Sequence, residues 1–153
     1  MAATTNSIVY STQVTHIGSG ASIAAGSFSG SADISVALAG SANLARYPVA
    51  DISLFVAPTA SIASASTFIY LFRRDLNHDG TNDEAIPGTS NEQKIVGSFQ
   101  LSATTTASTS HYLQICDVPL PGGDCEFYLK NSLGVNIPVG WTLKVTPKSM
   151  ALA

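Results

Sequence analysis

Residues 73–85, RRDLNHDGTNDEA, gather the oxygen-bearing side chains from which a cation site could be built. A helix-loop-helix calcium loop draws oxygens from positions 1, 3, 5, 7, 9 and 12 and keeps a glycine at position 6 for its sharp turn. Counted from Asp75, the odd positions bring Asn77, Asp79, Thr81 and Asp83, and Gly80 falls on the turn. The last ligand position holds Ile86 instead of a bidentate Glu, Pro87 follows, and the preceding residues read as a strand. The helix-loop-helix form is therefore excluded. What stays open is a looser calcium loop of Asp75, Asn77, Asp79, Thr81 and Asp83, closed by Glu84. The competing reading is a tight turn. Gly accepts positive φ, Asp bonds its own backbone, and Arg73 and Arg74 neutralise the acids without a metal. The turn is the preferred reading, so no cofactor is expected unless calcium occupies this loop.

Other reactive groups are sparse. Cys116 and Cys125 flank DVPLPGGD, which invites a hairpin disulfide. Partners across a hairpin share a face, and the parity of the flanking residues puts the two thiols on opposite faces unless a bulge intervenes. Two free thiols are the preferred reading over a Cys116–Cys125 bond. His16, His78 and His111 show no metal-ligand spacing and read as surface or strand-end residues. Asp117, Asp124 and Glu126 offer a carboxylate pair of the glycosidase type, although acids beside a Pro-Gly-Gly turn are ordinarily just solvated. No G-x-S-x-G elbow, phosphate loop or dinucleotide fingerprint occurs. No catalytic residue is assigned, and the expectation is a protein that is not an enzyme.

The elements that must carry these residues are strands. Apolar residues alternate with polar ones at 8–16, 32–38, 51–56, 94–101, 111–117, 125–130 and 141–146, while TFIYLFR at 67–73 is apolar on both faces. Gly-, Ser-, Pro- and Asn-rich segments separate them, and no sustained helical period appears. The pattern predicts an all-β antiparallel β-sandwich, a single jelly roll of about eight strands ahead of an Ig-like arrangement. Length suits one domain over 1–153, with residues 1–7 as a flexible N-terminal arm.

Composition restricts the partners. Charged residues make up only 11% of the 153 residues and net charge is −3, which argues against nucleic acid. No apolar run is long enough for a membrane helix, and the start lacks signal-peptide character, so a soluble cytosolic product is expected. So few charges, with abundant Ala, Ser, Thr and Gly, suit a surface covered by neighbouring subunits.

The stretch 126–147, EFYLKNSLGVNIPVGWTLKVTP, resembles small β-sandwich virion proteins of tailed bacteriophages, above all head decoration or cement proteins. An aromatic strand leads through N-x-x-G and I-P-x-G-W into a final strand, and the strand-then-DGTN segment at 67–82 fits the same pattern. Asp75 and Asp83 depart from its plain hairpin. The resemblance implies a non-enzymatic subunit, commonly a homotrimer, that binds the major capsid protein or other virion subunits and stabilises the capsid lattice. It would be made in the host cytoplasm and act on the capsid surface. The alternative is a carbohydrate-binding or adhesin-like β-sandwich of a tail or fibre, calcium-dependent through residues 75–84, with Tyr47, Tyr112 and Tyr128 as candidate sugar-stacking rings.

Overall fold

The computed structural model describes residues 6–29, 47–62, 67–76, 81–89, 94–103, 106–121 and 125–152. The 32–38 segment expected as a strand lies outside them. The described residues contain eight strands and no helix: β1 (Asn6–Tyr10), β2 (Val14–Gly20), β3 (Val49–Val56), β4 (Phe68–Asp75), β5 (Ile95–Gln100), β6 (His111–Pro119), β7 (Cys125–Asn131) and β8 (Trp141–Leu152). All pairings are antiparallel, in two sheets. The larger has the order β1–β8–β3–β6, with β2 also on β8, and the smaller is β5–β4–β7.

The period-two pattern explains the core. Ile52, Leu54 and Val56 on β3 and Trp141, Leu143 and Val145 on β8 turn inward from the larger sheet. Ile69, Leu71, Phe99, Phe127 and Leu129 belong to the same buried cluster and come from the smaller sheet. Burying a side chain of this size contributes about 1.5–3 kcal/mol each, so this single layer supplies the main cohesion between the sheets. Sheet edges also meet: a Cβ on Gly97 of β5 would lie 2.9 Å from the Ile115 side chain of β6, so a larger residue there would have to displace that side chain.

Three departures from the sequence pattern have local causes. The expected strand 8–16 is split into β1 and β2. Ser11 N–H donates to Pro147 O (2.8 Å), so the missing N–H of Pro147 faces the same side, onto residues 11–13 that leave the ladder. The final strand runs on past Pro147 to Leu152 for the same reason, because the proline is harmless opposite that gap. His16, expected at the surface or a strand end, is buried at 1% exposure. Thr15 pairs with Lys144 and Ile17 with Leu143, so His16 is the extra residue of a bulge and turns into the core. There it meets Phe127 edge-on, with ring centroids 5.9 Å apart.

The turn at 131–137 is fastened by one side chain. Asn131, fully buried, donates through Nδ2 to the carbonyls of Ile23 (3.0 Å), Ala24 (3.2 Å) and Val135 (2.9 Å), and its Oδ1 accepts from Leu133 N–H (3.0 Å). This joins residues 23–29, which also bond to β7 through Ser29 N–H to Leu129 O (2.8 Å), to the segment leading into β8.

Candidate functional site

The acidic stretch sits at one end of the smaller sheet, where β4 places successive residues on opposite faces. Arg73 and Asp75 point toward the sheet interface, and Arg74 points outward opposite Glu126 of β7. Beyond Asp75 the chain closes on itself. Glu84 N–H donates to Asp75 O (3.0 Å), and the Glu84 carboxylate accepts from Asp75 N–H (2.9 Å). The next strand, β5, begins only at Ile95. Asp75 and Glu84 close the ends of this loop, while the DGTN turn expected from sequence falls partly outside the described residues. Asn77, His78, Asp79 and Gly80 lie outside the described residues.

The acids here are matched by cations. Arg73 Nε lies 2.8 Å from Asp75 and Arg74 3.3 Å from Asp83 and 3.0 Å from Glu126. Lys94 contacts Asp75 at 2.8 Å and also binds Glu84. Arg73 further donates to Pro119 O on the larger sheet (2.9 Å), and Tyr128 OH donates to Glu126 (2.8 Å). Burial opposes ionisation of Asp75, but Lys94 and Arg73 outweigh it and hold its carboxyl below the usual range. Burial is likewise outweighed at Glu84 by Lys94 and the Asp75 N–H. Bonds to Asp75 and Glu84 raise Lys94 in turn. Burial, then the bond to Glu126, pushes the Tyr128 hydroxyl up to about 12.

Arg73 and Arg74 were legible as neutralising partners. Lys94 was not: it reaches the loop from a backbone φ of 83°, an uncommon conformation for a side-chain-bearing residue, which no local pattern announces. Among the described residues no three His, Cys, Asp or Glu side chains are grouped so as to hold a metal ion. Of the calcium ligands named from sequence, Asp75 and Asp83 are held by cations and Thr81 is exposed.

A second charged group lies on the larger sheet. Between the pairs Ala50–Val118 and Ile52–Ile115, β6 carries two residues, Cys116 and Asp117, opposite Asp51 alone. Asp117 has φ 59° at this bulge and its N–H donates to Asp51 (3.1 Å). Lys148 of β8 bonds to Asp51 at 2.5 Å and Asp117 at 2.9 Å and lies 5.8 Å above the Tyr10 ring. Burial works against the Asp51 charge, but Lys148 and the Asp117 N–H outweigh it and depress its pKa. Lys148 is correspondingly raised. This is a buried ion pair that pins a bulge, and sequence reasoning missed it because its members are remote in the chain.

The structure separates the other residues named from sequence. Cys116 is exposed on β6 and Cys125 buried on β7, in different sheets and not in a disulfide. Cys116 and Cys125 therefore do not face each other across a hairpin, since β6 and β7 lie in different sheets. Asp117 and Glu126 are likewise on different sheets, each with its own cation, while Asp124 lies outside the described residues. His111 is half-buried at the start of β6, and burial lowers its pKa. Of the three tyrosines, Tyr128 is buried and Tyr47 half-buried, whereas Tyr112 is 81% exposed.

Compared with protein-family models, with curated proteins and with solved structures, the chain matches none. The fold and site therefore define an antiparallel all-β sandwich with an internally neutralised charge network, and no family is assigned.

Proposed function

We propose that the protein is a non-enzymatic virion structural subunit that binds and stabilises a capsid lattice as a decoration or cement protein, assembling as a homotrimer against the major capsid protein. The observation that carries this reading is the ribbon formed by β1 and the end of β8. The register of β3 on β8 stops at Lys148, so among the described residues β1 is the only ladder partner of β8 from Ser149 to Leu152. Consecutive residues Ile8 (58%), Val9 and Tyr10 (55%) are all exposed, so neither face of β1 is covered over these three residues. A two-stranded ribbon of apolar residues is marginal in water and is a ready template for a neighbouring chain. Contact with other subunits would cover it, and whatever binds only the assembled lattice stabilises that lattice by mass action.

A jelly roll suits the same reading. With residues 27–29 counted as the start of a further strand beside β7, the two sheets would take the orders β1/β2–β8–β3–β6 and 27–29–β7–β4–β5. That is a two-Greek-key arrangement of the kind found in capsid and lectin domains. The test is co-sedimentation with capsids that lack the protein, using the full chain and a double variant Ile8→Ser, Tyr10→Ser. Binding by the full chain and its loss in the variant are expected. A full chain that stays in the supernatant refutes the reading.

A further inference from the structure

The outer face of the larger sheet carries two cross-strand rows side by side, Tyr112–Phe55–Thr142 and Gln114–Ser53–Lys144, one residue from each of β6, β3 and β8. They border a shallow open depression of about 410 Å³. The Tyr112 and Phe55 rings lie 4.9 Å apart at 40° and make one small apolar platform.

Three properties of this face specify what fits it. The apolar part is only two rings wide, far below the roughly 1,000 Å² a stable protein interface needs, but wide enough for the C–H face of a sugar ring. The hydroxyls of Ser53 and Thr142 both donate and accept, and the Gln114 amide offers both functions, which matches a ligand dense in hydroxyls. Among the described residues Lys144 is the charged group of the set and no carboxylate lines the depression, so charge complementarity favours an anion.

We infer that this face binds an acidic saccharide, one chain laid across β6, β3 and β8, with a ring stacked on Tyr112 and Phe55 and a sugar carboxylate at Lys144. The site is independent of the assembly reading, which uses the β1–β8 ribbon, and it needs neither calcium nor the 75–84 loop.

The experiment is isothermal titration of the full chain with hexamers of galacturonate, of guluronate and of sialic acid, beside a neutral galactose hexamer. Tyr112→Ala and Lys144→Gln are run in parallel; both change exposed or half-exposed side chains, and unaltered melting curves confirm folding. At least one acidic hexamer should bind, several-fold to about tenfold more weakly in Tyr112→Ala. In Lys144→Gln, affinity should fall and its salt dependence flatten, with little binding of the neutral hexamer. Absence of binding to all three acidic hexamers overturns the inference, as does binding indifferent to Tyr112→Ala. A change of oligomeric mass in Tyr112→Ala without saccharide binding also overturns it, by making the face a contact between copies.

Discussion

His16 should make this protein acid-sensitive well above the carboxylate range. Neither ring nitrogen has a hydrogen-bond partner, and the Phe127 backbone and the Glu126 charge favour the protonated form too weakly to offset burial. Desolvation therefore lowers its pKa from 6.5 to about 4. Because the folded value lies below the unfolded one, the unfolded chain takes up the proton first. Stability is intact above pH 6.5, falls progressively toward pH 4, and loses nothing further from this group below that. At about 1.4 kcal/mol per pH unit of separation, the loss amounts to about 3 kcal/mol, a large share of a typical 5–15 kcal/mol total. Asp51, Asp75 and Glu84 have depressed values, so their contributions are complete above the ordinary values of 3.8, 3.8 and 4.5 and are lost as pH falls through these toward the lower folded ones. Between pH 6.5 and about 5 the loss therefore belongs to His16 and not to these carboxylates, and nearer pH 4.5 the His16→Leu comparison separates the two. The assay is urea unfolding followed by fluorescence of Trp141, the single tryptophan and a buried one, at pH 7, 5.5 and 4.5. His16→Leu should flatten the profile in that range. His111→Gln serves as a control, since burial lowers His111 as well. A wild-type midpoint that does not move between pH 7 and 4.5, or a His16→Leu profile as steep as wild type, refutes the reasoning.

Asn131→Ala should strip the partner from Leu133 N–H and Val135 O, costing about 2–5 kcal/mol and on the order of 10 °C in Tm; calorimetry showing under about 1 kcal/mol would mean that those bonds contribute nothing net. Gly20→Ala should destabilise by about 1–3 kcal/mol, because its Cβ would fall 2.0 Å from the Trp141 ring, which is itself tied to Ala21 O through Nε1 at 2.7 Å; unfolding midpoints check this. EDTA should leave Tm unchanged, since Arg73, Arg74 and Lys94 already hold the acids of 75–84. A calcium site filled to a hundred times its Kd would add about 2.7 kcal/mol, so a Tm that rises with calcium and no longer does so in Asp79→Asn would reinstate the metal.

How far the sequence is legible depends on whether the cause is local. Alternation at 51–56, 125–130 and 141–146 reflects burial on one face, and those strands stand where the pattern puts them. The bulge that turns His16 inward and the gap that admits Pro147 arise from neighbours across the sheet. No spacing along the chain encodes them. The same holds for the site. Arg73 and Arg74 adjoin the acids they bind and were readable, whereas the pairing of Lys148 with Asp51 needs β3 and β8 to be neighbours first. The Cys116–Cys125 question assumed that consecutive strands share a sheet, and here they do not.

The position of β8 bears on how the chain is made. It is the shared neighbour of β1, β2 and β3, so the larger sheet has no centre until residues 141–152 have been synthesised. Of its strand pairs among the described residues, only β3 with β6 can form earlier. On the ribosome β1 and β2 wait for β8, the strand they pair with here, for nearly the whole of translation, and pairing of such high sequence separation is intrinsically slow. The burden of keeping the nascent chain soluble falls on its Ser-, Thr- and Gly-rich texture, which makes expression at low temperature or with a holdase chaperone the practical route to this protein.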